Sequence, residues 1–160
     1  MVRISVIAAA SAAIIALSPT AFAQQTGGGT AAEAKAMLEK AVAAVKADKA
    51  KAVAMFNKGE GGFLDKDLYV FCDSLADGKV VAMGNRNAKH LLGKDARALM
   101  DVTGKPYGRE IFDGQHKPEG QFTEVRYLFR RPGADDTPVP KVTIVTKAGD
   151  LGCGVGYYKQ

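Results

Sequence analysis

DLYVFCDSLADGKVVAMG, residues 67–84, is the stretch on which the fold turns. Its first half is aliphatic and aromatic, ADG supplies a tight turn, and KVVAMG reads as a returning strand, so the stretch is a β-hairpin. Strand side chains alternate between faces. Leu68, Val70 and Cys72 therefore share one face, and Tyr69, Phe71 and Asp73 share the other.

Upstream, Thr30-Ala-Ala-Glu33 has the form of a capping box opening a helix. Met37, Leu38, Val42, Val45, Val53 and Phe56 recur at near-helical spacing, an apolar stripe that needs a sheet to cover. KADKAK interrupts the stripe, and Asp48 is placed to cap a second helix ending at Asn57, before Gly59. One kinked helix or two consecutive helices fit equally. Downstream, NRNAKHLLGKDARALMDVTGKP is broken at Gly93 and Gly104 and has room for a helical turn or two, followed by a short helix at YGREIF. Strands at Gln121 to Arg130, Lys141 to Lys147 and Leu151 to Tyr158 close the chain, joined by the loop RRPGADDTPVP and the turn AGD. No internal repeat is visible.

The N-terminus reads as a secretory signal. Arg3 is followed by an apolar run from Val6 to Leu17, a break at Pro19 and the A-x-A pattern of Ala21 and Ala23. A run of about a dozen residues is short for a bilayer span, which takes about 20. Cleavage after residue 23 is the expectation, with an uncleaved anchor as the alternative. Residues 24–30 then form a flexible leader and 31–160 a single domain, periplasmic or secreted, with no later segment apolar enough for a membrane helix. Cys72 and Cys153 enter an oxidising compartment, where an even pair usually bonds. Two buried thiols are the alternative. Their spacing excludes C-x-x-C redox and haem-attachment motifs.

The chain carries 22 Lys and Arg against 17 Asp and Glu, a net charge of +5. The basic residues are scattered and no stacking motif accompanies them, which argues against nucleic acid and leaves a mild attraction for small anions. The only serine after residue 23, Ser74, is not in a nucleophile elbow, and no histidine and carboxylate bracket a nucleophile. Asp135 and Asp136 sit beside Gly and Pro, as turn residues do. His116, Asp113 and Glu119 lack metal-ligand spacing, so neither metal nor cofactor is expected, and the chain does not read as an enzyme.

The order helix, two strands, small helices, three strands resembles the single Cache domains of bacterial extracytoplasmic sensors. AMFNKGEGGF, the 67–84 hairpin, HLLGKDARALMDVTGKPYGREI, GQFTEVRYLFRRP and PKVTIVTKAGDLGCGVGYY carry the resemblance over residues 31 to 158. It implies an α+β fold: a PAS-like, antiparallel five-stranded sheet, a long N-terminal helix on one face, and small helices over a ligand pocket on the other. The resemblance makes the first and last strands neighbours, putting Cys72 within reach of Cys153. If they pair, Gly152, Gly154 and Gly156 lie on the face of Tyr69 and Phe71. That bare strip admits a packed helix or a ligand.

The candidate ligand residues follow from the same frame. Tyr69 and Phe71 face the pocket, and Tyr107, Arg109 and His90 lie in the roofing segment. Arg126, Tyr127 and Lys141 stand where the resembling family carries a tyrosine strand and a lysine opening the next. Alternation lets only one of Arg126 and Tyr127 inside; Val125, Tyr127 and Phe129 are the more apolar set, which favours Tyr127. For Lys141 a solvated strand end is an equal reading. The expected function is binding of a small, anionic metabolite, a carboxylate above all. With no output region after Gln160, the domain is expected to act through a partner such as a membrane receptor. The competing expectations are a ligand-free envelope interaction or oligomerisation module and, behind it, a small-substrate enzyme.

Overall fold

The computed structural model describes residues 27–159; the expected signal peptide and cleavage site lie outside them. Two helices open this part. In α1 (Ala31–Ala47) the Thr30 hydroxyl accepts from Glu33 N–H while the Glu33 carboxylate accepts from Thr30 N–H, closing the capping box. Asp48 is extended at φ −159° and serves both helices: its N–H donates to Ala44, ending α1, and its carboxylate accepts from Lys51 N–H, starting α2 (Lys49–Lys58). Gly59, at φ 72°, ends α2 in the left-handed region that glycine adopts without strain. The interrupted stripe is thus two helices. Residues 28 and 29 are not a loose leader: Gly29 N–H donates to the buried Asp67 carboxylate at 2.5 Å, and a Cβ on Gly29 would meet the Leu68 side chain at 2.2 Å.

The sheet comprises β1 (Leu64–Asp65), β2 (Leu68–Ser74), β3 (Val80–Met83), β4 (Thr123–Arg130), β5 (Pro138–Ala148) and β6 (Leu151–Tyr158), all pairs antiparallel. The order is β2-β6-β5-β4, with β1 and β3 sharing the outer edge of β2. The five expected strands are present and the two-residue β1 is a sixth. β5 begins three residues earlier than its sequence suggests. Pro140 can join because its carbonyl, which accepts from Lys159 N–H, and hence its missing N–H face the side where β6 has run out. Lys141 is consequently inside a strand.

Alternation divides the core. Leu68, Val70, Cys72, Ile144, Cys153 and Val155 meet Leu38, Ala41, Val45 and Phe56 of the helices. Cys72 and Cys153 are register partners on β2 and β6 and form a disulfide. Asn57, at the end of α2, pairs with the β3 backbone through Val81 O and Met83 N–H, occupying that edge as a strand would.

The opposite face is roofed by two 3-10 segments (Arg86–Leu91 and Ala96–Ala98) and α3 (Tyr107–Gln115). Asp101 pins the roof to β4: its carboxylate accepts from Thr103, Lys105 and Leu128 N–H and from the Thr103 hydroxyl. Those bonds, the Thr103 hydroxyl first, hold its carboxyl down near 2. Gly108 lets α3 rest backbone against backbone on the second 3-10 segment, since a Cβ there would lie 1.8 Å from Ala96 O. Gly108→Ala is expected to destabilise the domain by about 1–3 kcal/mol. Urea denaturation of the variant checks this.

Candidate functional site

The roofed face brings together Tyr69, Phe71 and Asp73 from β2, Lys141, Thr143 and Val145 from β5, and Val125, Tyr127 and Phe129 from β4. Besides Tyr158 at its end, β6 contributes only glycines. The lane they leave is taken by the protein itself: a Cβ on Gly152 would meet Gln115 of α3 at 2.4 Å, on Gly154 the Phe71 ring at 2.5 Å, and on Gly156 Cε of Lys141 at 2.2 Å. The backbone of β6 is therefore not bared to a ligand.

Lys141 is 1% exposed, which overturns the solvated-end reading. Gly156 makes room for its stem, and three rings cover its head. Nζ donates to the Tyr69 hydroxyl at 2.6 Å and lies 4.3, 4.9 and 5.0 Å from the ring centroids of Tyr69, Phe129 and Tyr158. Ring faces offset part of the cost of desolvating the ammonium, but they are not hydrogen-bond acceptors of its full valence. Among the described residues the ammonium has one hydrogen bond, to the Tyr69 hydroxyl, and no salt-bridge carboxylate.

Tyr107 of α3 stacks on Tyr127 with centroids 4.1 Å apart and planes 2° apart, and Phe129 stands edge-on to both. The Tyr127 hydroxyl is hydrogen-bonded to Thr143 Oγ1 at 2.9 Å. Burial raises the pKa of the Tyr107, Tyr127 and Tyr158 hydroxyls above the ordinary phenol value, so all three are neutral at pH 7.

Between these rings and β2 lies a cavity of about 30 Å³, bounded by Tyr69, Phe71, Asp73, Met83, Tyr107 and Tyr127 among others. It has room for about two waters. Asp73 is 1% exposed; its Oδ2 accepts from Gln115 Nε2 at 2.9 Å. Its Oδ1, and Oε1 of Gln115, have no hydrogen-bond partner among the described residues. Burial pushes the Asp73 carboxyl up to about 7, against the opposing pull of the Gln115 bond. Outside the Tyr107 and Phe129 wall is a groove of about 370 Å³, rimmed by His90, Met100, Arg130 and Arg131.

The structure brings Tyr69, Phe71, Tyr107 and Tyr127 to the inner cavity; Lys141 does not line it but lies behind Tyr69, bonded to its hydroxyl. It does not bring Arg109, Arg126 or His90 there. On α3, Tyr107 and Ile111, one turn apart, take the inner face, which turns Arg109 to solvent. Alternation turns Arg126 outward to pair with Glu124 at 2.7 Å, and His90 stands exposed on the groove rim. Sequence reasoning passed over Asp73, Gln115 and Thr143. Asp73 was within reach of it, sharing the alternation of Tyr69 and Phe71; nothing in the sequence marks Gln115. Among the described residues no group of His, Cys, Asp and Glu could hold a metal ion, and no helix is long and apolar enough to cross a membrane.

Paired helices on one face of an antiparallel sheet, a small-helix roof on the other, and first and last full-length strands side by side define the single-Cache fold of the PAS-like class. Solved structures agree on this. A methyl-accepting chemotaxis protein from Vibrio parahaemolyticus superposes with a TM-score of 0.61 at 23% identity, covering 79% of this chain and 86% of that one. A periplasmic sensor domain of a chemotaxis protein gives 0.59 at 21% identity, covering 79% and 88%. A Cache chemosensory domain described for carboxylic acid recognition gives 0.61 at 17% identity, covering 81% and 92%. No family model matches the sequence, and no curated protein sequence does.

Proposed function

We propose that this chain is an extracytoplasmic sensor domain that binds a small carboxylate beneath its roof, its bound state being read by a partner protein. One observation carries the reading: Lys141 is a fully buried cation whose hydrogen bonding is incomplete, set behind an aromatic cavity. Such a cation is costly to keep without a counter-charge, and a carboxylate at the Tyr69 end would supply one. The inner cavity and outer groove share the Tyr107 and Phe129 wall. Displacement of that wall, with Leu91 and Leu99 beside it, would join them into a space of the size that small-molecule sites have. The disulfide and the resemblance to periplasmic sensor domains support the extracytoplasmic placement.

A panel of short straight-chain carboxylates in a thermal-shift assay tests the reading. A binder at 100 times its Kd stabilises by about 2.7 kcal/mol, and Lys141→Met is expected to abolish the shift while leaving the circular dichroism spectrum unchanged. A flat response of the wild-type chain at millimolar concentrations would sink it.

The small inner cavity favours a second reading, a ligand-free interaction module. Met100 and Val102, 64% and 70% exposed on the outer lip, would then be contact residues. That reading predicts self-association or partner capture lost in Met100→Ser/Val102→Ser, with no carboxylate response.

A further inference from the structure

The two ends of the inner cavity differ in charge and in hydrogen-bonding need, and the difference specifies the ligand further. Tyr69 and Asp73 both line the cavity from one strand, four residues apart, so their Cα atoms are about 13 Å apart. Behind the Tyr69 end, screened from the cavity by the Tyr69 and Phe129 rings, stands the Lys141 ammonium, a surplus of donors. At the Asp73 end stands a surplus of acceptors: Asp73 lines the cavity with no donor on its Oδ1, and Oε1 of Gln115, bonded to Asp73 from behind the lining, has none either. Buried acceptors without donors are costly, and two of them on bonded neighbours call for a group with several N–H bonds. Between the poles the walls are apolar, with Phe71, Val80, Met83 and Ile111.

We propose that the ligand is a zwitterion with its charges held apart, a carboxylate toward Lys141 and Tyr69 and an ammonium on Asp73, joined by a short methylene chain. This rests on the carboxylate reading above and goes beyond it. An α-amino acid carries both charges on one carbon and matches only one pole; an ω-amino acid of four to six carbons places a charge at each. The roof must lift for it, because the cavity in its present form of about 30 Å³ admits only waters. No positively charged side chain pairs with Asp73 among the described residues. A ligand ammonium would supply the counter-charge that the charged form of Asp73 lacks.

Matched pairs test this by isothermal calorimetry on the wild-type chain: butanoate against 4-aminobutanoate, and pentanoate against 5-aminopentanoate. The expected result is that one amino compound binds at least about tenfold more tightly than its plain partner, as a charge-assisted contact requires. In Asp73→Asn that advantage, taken as the ratio of the two affinities on the same variant, should fall to about twofold or less. Plain carboxylates binding as well as or better than their amino partners would overturn the zwitterion while leaving the carboxylate reading intact. Binding of neither series would overturn both. Should Asp73→Asn fail to fold, the wild-type comparison alone still separates these outcomes.

Discussion

Replacing both Cys72 and Cys153 with alanine is expected to lower the thermal midpoint by on the order of 10–20 °C, the largest effect of any change in this domain. The bridge joins residues 81 apart in sequence and ties the first full-length strand to the last. Closing a loop of that length in the unfolded chain corresponds to about 4.5 kcal/mol in the chain-entropy model. That is a large share of the total stability of an ordinary domain, about 5–15 kcal/mol. Both cysteines are wholly buried in the helix-side core, so a reductant reaches the bridge only when the sheet opens. Reductant added to the folded protein should therefore act slowly, and the double variant is the clean comparison. Differential scanning calorimetry of the two proteins measures the shift. A drop of less than about 3 °C would show that the pairing of β2 with β6 holds the ends together without the bridge.

Much of this architecture is legible in the sequence, because the features that fix it are local. The capping box at Thr30 and Glu33, the ADG turn and the alternation of residues 68–73 each dictate a conformation within a few residues. The site is less legible, since its decisive contacts depend on which strands become neighbours. Lys141 reads as a surface lysine until β6 is placed beside β5, and only then does Gly156 become the space for its stem. Gln115 sits on a helix whose sequence says nothing of Gly152 or Asp73. Arg109 and Arg126 attract attention for the chemistry they could perform. Helical and strand periodicity nevertheless turn both to solvent, and the buried cation is the lysine. The pole opposite it was hidden for a plainer reason: an aspartate at the end of a strand, just before a turn, resembles a turn residue.

Asp73→Asn is expected to stabilise the domain at pH 8 by about 4 kcal/mol and to leave it nearly unchanged at pH 4. The sign follows from the direction of the shift. Burial raises the folded carboxyl to about 7, whereas in the unfolded chain it titrates near the ordinary aspartate value of about 3.9. Between those values the folded state binds more protons than the unfolded one, so stability falls as pH rises from about 4 to about 7 and then levels off. Glu33, Asp95 and Asp101 are shifted the other way, each held near 2 by hydrogen bonds led by Lys66, Arg97 and Thr103 respectively. Their contribution grows as pH rises through the range from about 2 to 4.5, below the window of Asp73, and cancels when variant and wild type are compared. Asparagine keeps the acceptor for Gln115 Nε2, carries no charge to desolvate, and adds N–H donors beside the unpartnered Oε1 of Gln115. Urea denaturation at half-unit intervals from pH 4 to 8 gives the difference curve directly. It should open from near zero to its full value across pH 4–7. Parallel curves would mean that Asp73 already has a partner for its charge, and the acceptor pole on which the zwitterion depends would not exist. A buried carboxyl that weakens the empty domain at neutral pH is the kind of cost that binding sites carry. A ligand ammonium, by supplying the missing counter-charge, would recover that stability in the bound state.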